Sequence, residues 1–387
     1  MKYYLIAGEA SGDLHGSNLM KGLYAEDPEA DCRFWGGERM DAVFQAHQDG
    51  TGLVHDYRDG AVMGYIEIIG KAGSLLGKLR RCKEDILAWR PDVVILIVYP
   101  GFNFRIAGFA HKKGFKVFYY IAPKVWASRE NRIRKLKAHV DRLFIIFPFE
   151  KAYFDRKGVT YTYAGNPLVD AIDGSPALQE SRADFLARTG LPDKPYIALL
   201  AGSRSGEIKT MMPKLRDFMQ QFKSIPEYSD YQFVIAAAPA RSEADYTPFL
   251  EGSDLPVSIL FGETYAVLKH AEAAVINSGT ASLEAALIGT PQVVCYGIAG
   301  NLSYCLGRLL LRTPFISLGN LILGRSAFRE LIQVYFTPEN VTAEIRRILE
   351  DRAYRARMLA DYGEIRRELG GTGASAAVAR AMVDALR

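Results

Sequence analysis

The chain has 387 residues, more than one ordinary core accommodates, and at about 100–200 residues per domain it predicts two domains. Its 49% hydrophobic content predicts compact globular units, and a net charge of +4 is too small to imply a nucleic-acid binder. Cys32, Cys82, Cys295 and Cys305 form no C-x-x-C pair and no metal-ligand spacing with the six histidines, so they read as buried or free thiols in a reducing compartment.

Charge is unevenly spread. Residues 1–165 hold 25 Lys+Arg against 19 Asp+Glu and the remainder 23 against 25, which favours an anionic ligand or surface for the first half.

Tyr3–Ala7 predicts a first strand, and Gly8-Glu9-Ala10-Ser11-Gly12-Asp13-Leu14-His15-Gly16 leads from it into a helix through Leu19 and Leu23. The run ends too soon for a signal-peptide core. The turn is not a G-x-G-x-x-G fingerprint, but in an open α/β sheet ligands bind where such turns leave the strands, and Glu9 would face that crevice. The plainer reading makes Glu9 and Asp13 a solvated loop and helix start and His15 a surface or packing residue.

Arg33–Met40 reads as a short strand ending in a glycine turn. From Met63 through Ile68 and Ile69 to Leu75, Leu76 and Leu79, apolar residues alternate with Lys71, Lys78, Arg80, Arg81 and Lys83. That is the composition of a segment that dips into lipid while its charges meet anionic headgroups, and equally that of a core helix with a wet basic face. Val93–Val98 is the most continuous apolar strand, suited to the middle of a parallel sheet, and opens into Tyr99-Pro100-Gly101-Phe102-Asn103. Lys116–Ile121 and Leu143–Phe147 predict two more strands, separated by a basic helix with Arg129, Arg132, Arg134, Lys135 and Lys137.

A polar linker near Asp173-Gly174-Ser175-Pro176 precedes a second half that restarts as the first began, with strand Tyr196–Leu200 and the turn Gly202-Ser203-Arg204. Gln232–Ala237 and Val257–Leu260 add strands. Ala273–Asn277 then breaks at Ser278-Gly279-Thr280 into a helix built on Leu283, Ala286 and Leu287, which stops at Gly289 before a further apolar run through Tyr296. A helix start leaves backbone N–H groups unpaired and slightly positive, so a phosphate sits well there. Glu284, placed in the first turn, would reach a ribose hydroxyl. The alternative is that Ser278 or Thr280 caps the helix and Glu284 complements its dipole. Ala285–Gly307 is uncharged, yet its glycines, Pro291 and Asn301 favour a buried strand with loops over a membrane span.

The ordered set Ala7–Asp13, Met63–Glu67, Pro100–Asn103, Val125–Ala127, Phe147–Glu150, Gly202–Arg204, Ser278–Ala281 and Ser317–Leu321 resembles the lipid-A-disaccharide synthase family of inverting glycosyltransferases over almost the whole chain. The resemblance implies an α/β GT-B fold: two Rossmann-like domains facing a cleft, spanning 1–168 and 169–360, with a helical segment 361–387 packing back on the first. It implies UDP-2,3-diacylglucosamine as donor, 2,3-diacylglucosamine 1-phosphate as acceptor, and a β-1′,6-linked disaccharide plus UDP as products. Ser278, Gly279 and Thr280 would hold the diphosphate and Glu284 the ribose, with Tyr296 beside them. Arg204 would neutralise charge on departing UDP, and Glu9, Asn103 and Asn320 would be catalytic. Met63, Ile68, Ile69, Leu75, Leu76, Arg80 and Arg81 would form a membrane patch, placing a cytoplasmic protein on the anionic inner face of the inner membrane. No cofactor, metal or nucleic-acid partner is implied, and a homodimer is left open. The chain contains no Asp-x-Asp pair for a metal-bound nucleotide.

One position departs from the pattern. Val98 stands where the family has an acidic residue two places before the proline, and valine cannot accept the proton of an attacking hydroxyl. Asn166 is a lesser departure, at a position where relatives often have histidine. Glu9 is then the alternative base, and the competing readings are a slow or inactive variant, a UDP-sugar 2-epimerase or hydrolase on the same scaffold, and a binding protein without turnover.

Overall fold

The structure, a computed structural model, describes residues 1–60, 67–123, 125–126, 130–297 and 314–387, without the side chains of 59–60 and 67–74. Met63, Arg129 and Cys305 therefore lie outside the described residues, as do the side chains of Ile68 and Ile69. The chain divides into a unit of Met1–Ala171 with Leu369–Arg387 and a unit of Ile172–Glu368.

The first unit is built on seven parallel strands: β1 (Lys2–Ala7), β2 (Asp31–Gly36), β3 (Leu53–Asp56), β4 (Val93–Ile97), β5 (Lys116–Tyr120), β6 (Arg142–Ile145) and β7 (Thr162–Tyr163). They lie in the order β3-β2-β1-β4-β5-β6-β7. Every residue of β4 is buried, as expected of a central strand covered on both faces. The second unit repeats the plan with β8 (Tyr196–Leu200), β9 (Gln232–Ala237), β10 (Val257–Phe261), β11 (Ala273–Asn277), β12 (Gln292–Tyr296) and β13 (Glu330–Ile332), ordered β10-β9-β8-β11-β12-β13 and again parallel. Both halves are thus Rossmann-like, and in each the chain reverses its direction across the sheet once: at β1/β4 and at β8/β11. Open α/β sheets bind ligands beyond the strand C-termini at such reversals.

The expected boundaries shift at two places. The first unit extends to Ala171, three residues past the predicted end, and the C-terminal segment divides. Helix Arg352–Leu369 belongs to the second unit up to Glu368, whereas helix Ala374–Asp384 packs on helix Ala10–Glu26 of the first. Gly22 makes that approach close, because a Cβ on it would lie 2.7 Å from the Ala379 Cβ.

The segment expected at a membrane surface is the helix Glu67–Trp89. Leu79, Cys82 and Ile86, spaced three and four apart, bury one face in the first core, and Leu75 packs against the same cluster. Leu75 is therefore not part of an exposed patch. Leu76 is, at 66% exposed, and Arg80 beside it pairs with Glu84 at 2.7 Å. Arg81 donates to the Val54 carbonyl at 2.8 Å.

Candidate active site

At the first reversal the apolar run stops one residue earlier than its sequence suggests. β4 ends at Ile97, and Val98 and Tyr99 are both left-handed, with φ of +50° and +40°. For a β-branched residue this is a strained conformation, costing roughly 1–3 kcal/mol, that surrounding contacts must hold. They are specific: the Val98 carbonyl accepts from Tyr119 Oη at 2.5 Å and from Asn103 Nδ2 at 3.1 Å, and Asn103 Nδ2 also lies 3.2 Å from the Ile97 carbonyl. Pro100 then begins helix Pro100–Lys112 with its φ already suited to a first turn.

Asn103, expected as a catalytic group, has no exposed surface, and its amide ties the strained turn to the end of β4. Asn320 is equally buried. Its Nδ2 donates to the Phe328 carbonyl at 3.0 Å and to Glu330 Oε1 at 2.9 Å, and its Oδ1 accepts the Ala327 N–H at 2.8 Å. It shapes the approach to β13 and likewise touches no solvent. Asn166 follows the same pattern, donating to the Ile146 carbonyl at 3.0 Å.

Glu9 ends the turn after β1, the strand beside β4, and accepts from Ser11 Oγ at 3.1 Å. Partial burial and the neighbouring Glu9 carboxylate together raise the Tyr99 phenol pKa, which puts Glu9 and Tyr99 in one electrostatic environment. Ala7, Gly8, Trp35, His55, Tyr57, Lys78 and Tyr99 surround a narrow cavity of about 40 Å³ at this point, space for about one water-sized group. Asp13 stands in the first turn of helix Ala10–Glu26, as a helix-start residue, but is not solvated. It is 2% exposed and accepts the N–H groups of Gly37, Arg39 and Met40 at 2.8–3.1 Å, satisfying the start of helix Glu38–Gln45. His15 is a packing residue, and burial lowers its pKa to about 4.

At the second reversal, Arg204 follows β8, Ser278–Thr280 follow β11 and Tyr296 ends β12, so three adjacent strands bring the expected nucleotide residues to one sheet edge. Helix Thr280–Ile288 begins at Gly279 with no side-chain cap, so neither Ser278 nor Thr280 satisfies its first N–H groups. Glu284 is its fifth residue, beyond the first turn, which removes the dipole-complement reading. Burial raises its carboxyl pKa to about 7, and Tyr265 Oη donates to it at 3.4 Å. The β8 turn touches the β11 turn closely: Gly202 has φ +105°, and a Cβ on it would lie 2.7 Å from Asn277 Nδ2. Arg204 is 73% exposed, with Nη1 donating to Glu207 Oε1 at 2.8 Å. The Glu207 carboxylate also accepts the Ser203 and Arg204 N–H groups, a role whose one signal in the sequence is a Glu three residues after Arg204 at the helix start.

Two Rossmann-like units, each with a helix-opening turn at its strand reversal, define the GT-B class of fold. Solved structures agree on that architecture: UDP-GlcNAc 2-epimerase from Neisseria meningitidis bound to UDP-GlcNAc has a TM-score of 0.72 at 13% identity, covering 99% of this chain and 100% of that one. The Methanocaldococcus jannaschii UDP-GlcNAc 2-epimerase in complex with UDP-GlcNAc and UDP has a TM-score of 0.66 at 14% identity, with the same coverages. At such identities the likeness concerns the fold alone.

Sequence relatives narrow the class. The family model described as lipid-A-disaccharide synthetase matches residues 3–381. The lipid-A-disaccharide synthase of Geobacter metallireducens is 36% identical over 383 residues, 99% of this chain and 96% of that protein. That of Myxococcus xanthus is 36% identical over 383 residues, covering 99% and 97%. The chain belongs to the lipid-A-disaccharide synthetase family and is a glycosyltransferase.

Proposed function

We propose that the protein transfers 2,3-diacylglucosamine from UDP-2,3-diacylglucosamine to the 6-hydroxyl of 2,3-diacylglucosamine 1-phosphate, releasing UDP and a β-1′,6-linked disaccharide. The observation that carries this reading is the uncapped start of helix Thr280–Ile288, with Glu284 one turn inside it and Arg204 on the adjacent strand end. Its free N–H groups and partial positive charge suit a diphosphate. Glu284 accepts ribose hydroxyls, and Arg204 offsets charge on the leaving UDP.

On the acceptor side Glu9 takes the place of the missing carboxylate at position 98. It is the carboxylate next to the β1/β4 reversal, beside Tyr99. The membrane-facing surface is the exposed side of helix Glu67–Trp89 around Leu76 and Arg80, which meets the anionic inner face of the inner membrane. Among the described residues no helix is long and apolar enough to cross a membrane.

Titrating UDP calorimetrically into the parent chain, Arg204→Ala and Glu284→Ala tests the donor site. A charge-assisted hydrogen bond contributes roughly 1.5–3 kcal/mol, so each substitution should weaken UDP on the order of tenfold or more. Unchanged affinity in both would remove the proposed site.

A further inference from the structure

A basic cavity lies in the second unit, at the end of its sheet opposite the Ser278 turn. Its volume is about 490 Å³, within the range of small-molecule sites, and Arg325, Arg329, Arg347, Arg357, Tyr354 and Asp361 are among its lining residues. Arg329 stands immediately before β13 and Arg325 five residues before it, and Arg347 lies near the C-terminus of helix Pro338–Glu350. Because every pairing in this sheet is parallel, the cavity sits at the strand N-termini and the Gly202 and Ser278 turns at the C-termini.

Its construction is specific. Glu344 has no exposed side-chain surface and accepts both the Tyr354 hydroxyl and, at 3.3 Å, Arg329 Nη1, so a buried carboxylate fixes the ring and one guanidinium together. Asp361 and Glu364 each hold Arg325 at 2.6 Å. Arg347 and Arg357 lie 3.9 Å and 6.0 Å from the Tyr354 ring centroid and have no carboxylate partner among the described residues. Four guanidinium groups line the cavity: Arg325 and Arg329 are paired with carboxylates, whereas Arg347 and Arg357 rest on the Tyr354 ring, which leaves their N–H groups available.

We propose that this cavity binds a phosphate-bearing ligand of sugar-phosphate or mononucleotide size. Phosphate oxygens take paired N–H donors from Arg347 and Arg357, which no internal carboxylate occupies. Arg325 and Arg329, compensated by their own carboxylate partners, fix the wall beside them. The site is separate from the donor turn and does not depend on the substrates assigned above.

Calorimetric titration of the full chain with inorganic pyrophosphate at low ionic strength tests the proposal, comparing the parent, the Arg347→Gln/Arg357→Gln double variant and Arg204→Ala. The double variant should lose pyrophosphate affinity at least tenfold while keeping the parent melting temperature and UDP affinity, and Arg204→Ala should retain this binding. Sedimentation with phosphatidylglycerol vesicles separates the two sources of phosphate. Vesicle binding that the double variant loses and pyrophosphate blocks assigns the site to a lipid headgroup, whereas vesicle binding shared by parent and double variant assigns it to a soluble phosphate. Equal pyrophosphate affinity in the parent and the double variant, or a loss confined to Arg204→Ala, overturns the proposal.

Discussion

The Tyr99 ring occupies the space that a side chain at Gly8 would need: a Cβ there would lie 2.3 Å from Tyr99 Cδ1. The two strands at the first reversal are thereby fitted to each other through a ring and a missing side chain. Gly8→Ala must displace the ring or the strand end, and overpacking of this kind costs about 1–3 kcal/mol. Thermal melting should show the loss, while UDP affinity, proposed for the second unit, stays unchanged. A melting temperature equal to the parent's would show that the ring yields freely.

Val98→Asp should raise turnover. The plain expectation for a valine closing an apolar strand is that an aspartate there would unfold the protein, but Val98 lies past the strand, half-buried and left-handed. Asp tolerates that conformation better than a β-branched residue does, so stability should hold or improve. A positioned base typically contributes ~10²–10⁴-fold. Rates of the parent, Val98→Asp and Glu9→Gln decide the point. No gain in Val98→Asp together with loss in Glu9→Gln assigns the base to Glu9 alone.

Much of this was legible along the chain. Strands β8, β9, β11 and the helix stop at Gly289 follow from apolar runs and punctuation, because those signals are local. What stayed hidden depends on partners distant in sequence. Asp13 is needed by N–H groups more than twenty residues away, and Asn103 is drawn inward by strand-end carbonyls. Val98 looks like any strand valine until Tyr119, on the neighbouring strand, is seen holding its carbonyl.

Glu284 should leave a signature in stability against pH. Burial raises its pKa from 4.5 to about 7, so between those values the native chain holds a proton that the unfolded chain has released. Stability therefore falls as pH rises through this interval and stays at the lower level above it. Glu284→Gln should remove that slope and stabilise the protein at pH 8 by about 1–3 kcal/mol, while weakening UDP. Parallel melting curves for the two proteins from pH 5 to 8 would contradict the assignment.

Leu75 and Leu76 are adjacent in sequence and should behave oppositely. Leu76→Ser changes an exposed side chain and should lower binding to anionic vesicles with no change in melting. Leu75→Ser removes packing from the core cluster and should cost about 1–3 kcal/mol. Equal melting temperatures for the two variants would contradict the helix orientation.

The activity proposed for this protein is glycosyl transfer between two acylated substrates. Following UDP and lipid products together in one reaction of purified protein with UDP-2,3-diacylglucosamine and 2,3-diacylglucosamine 1-phosphate tests it most directly. One disaccharide should form for each UDP released, and no UDP should be released when the acceptor is omitted. UDP appearing without disaccharide, or neither product forming in the parent and Val98→Asp proteins alike, would contradict it.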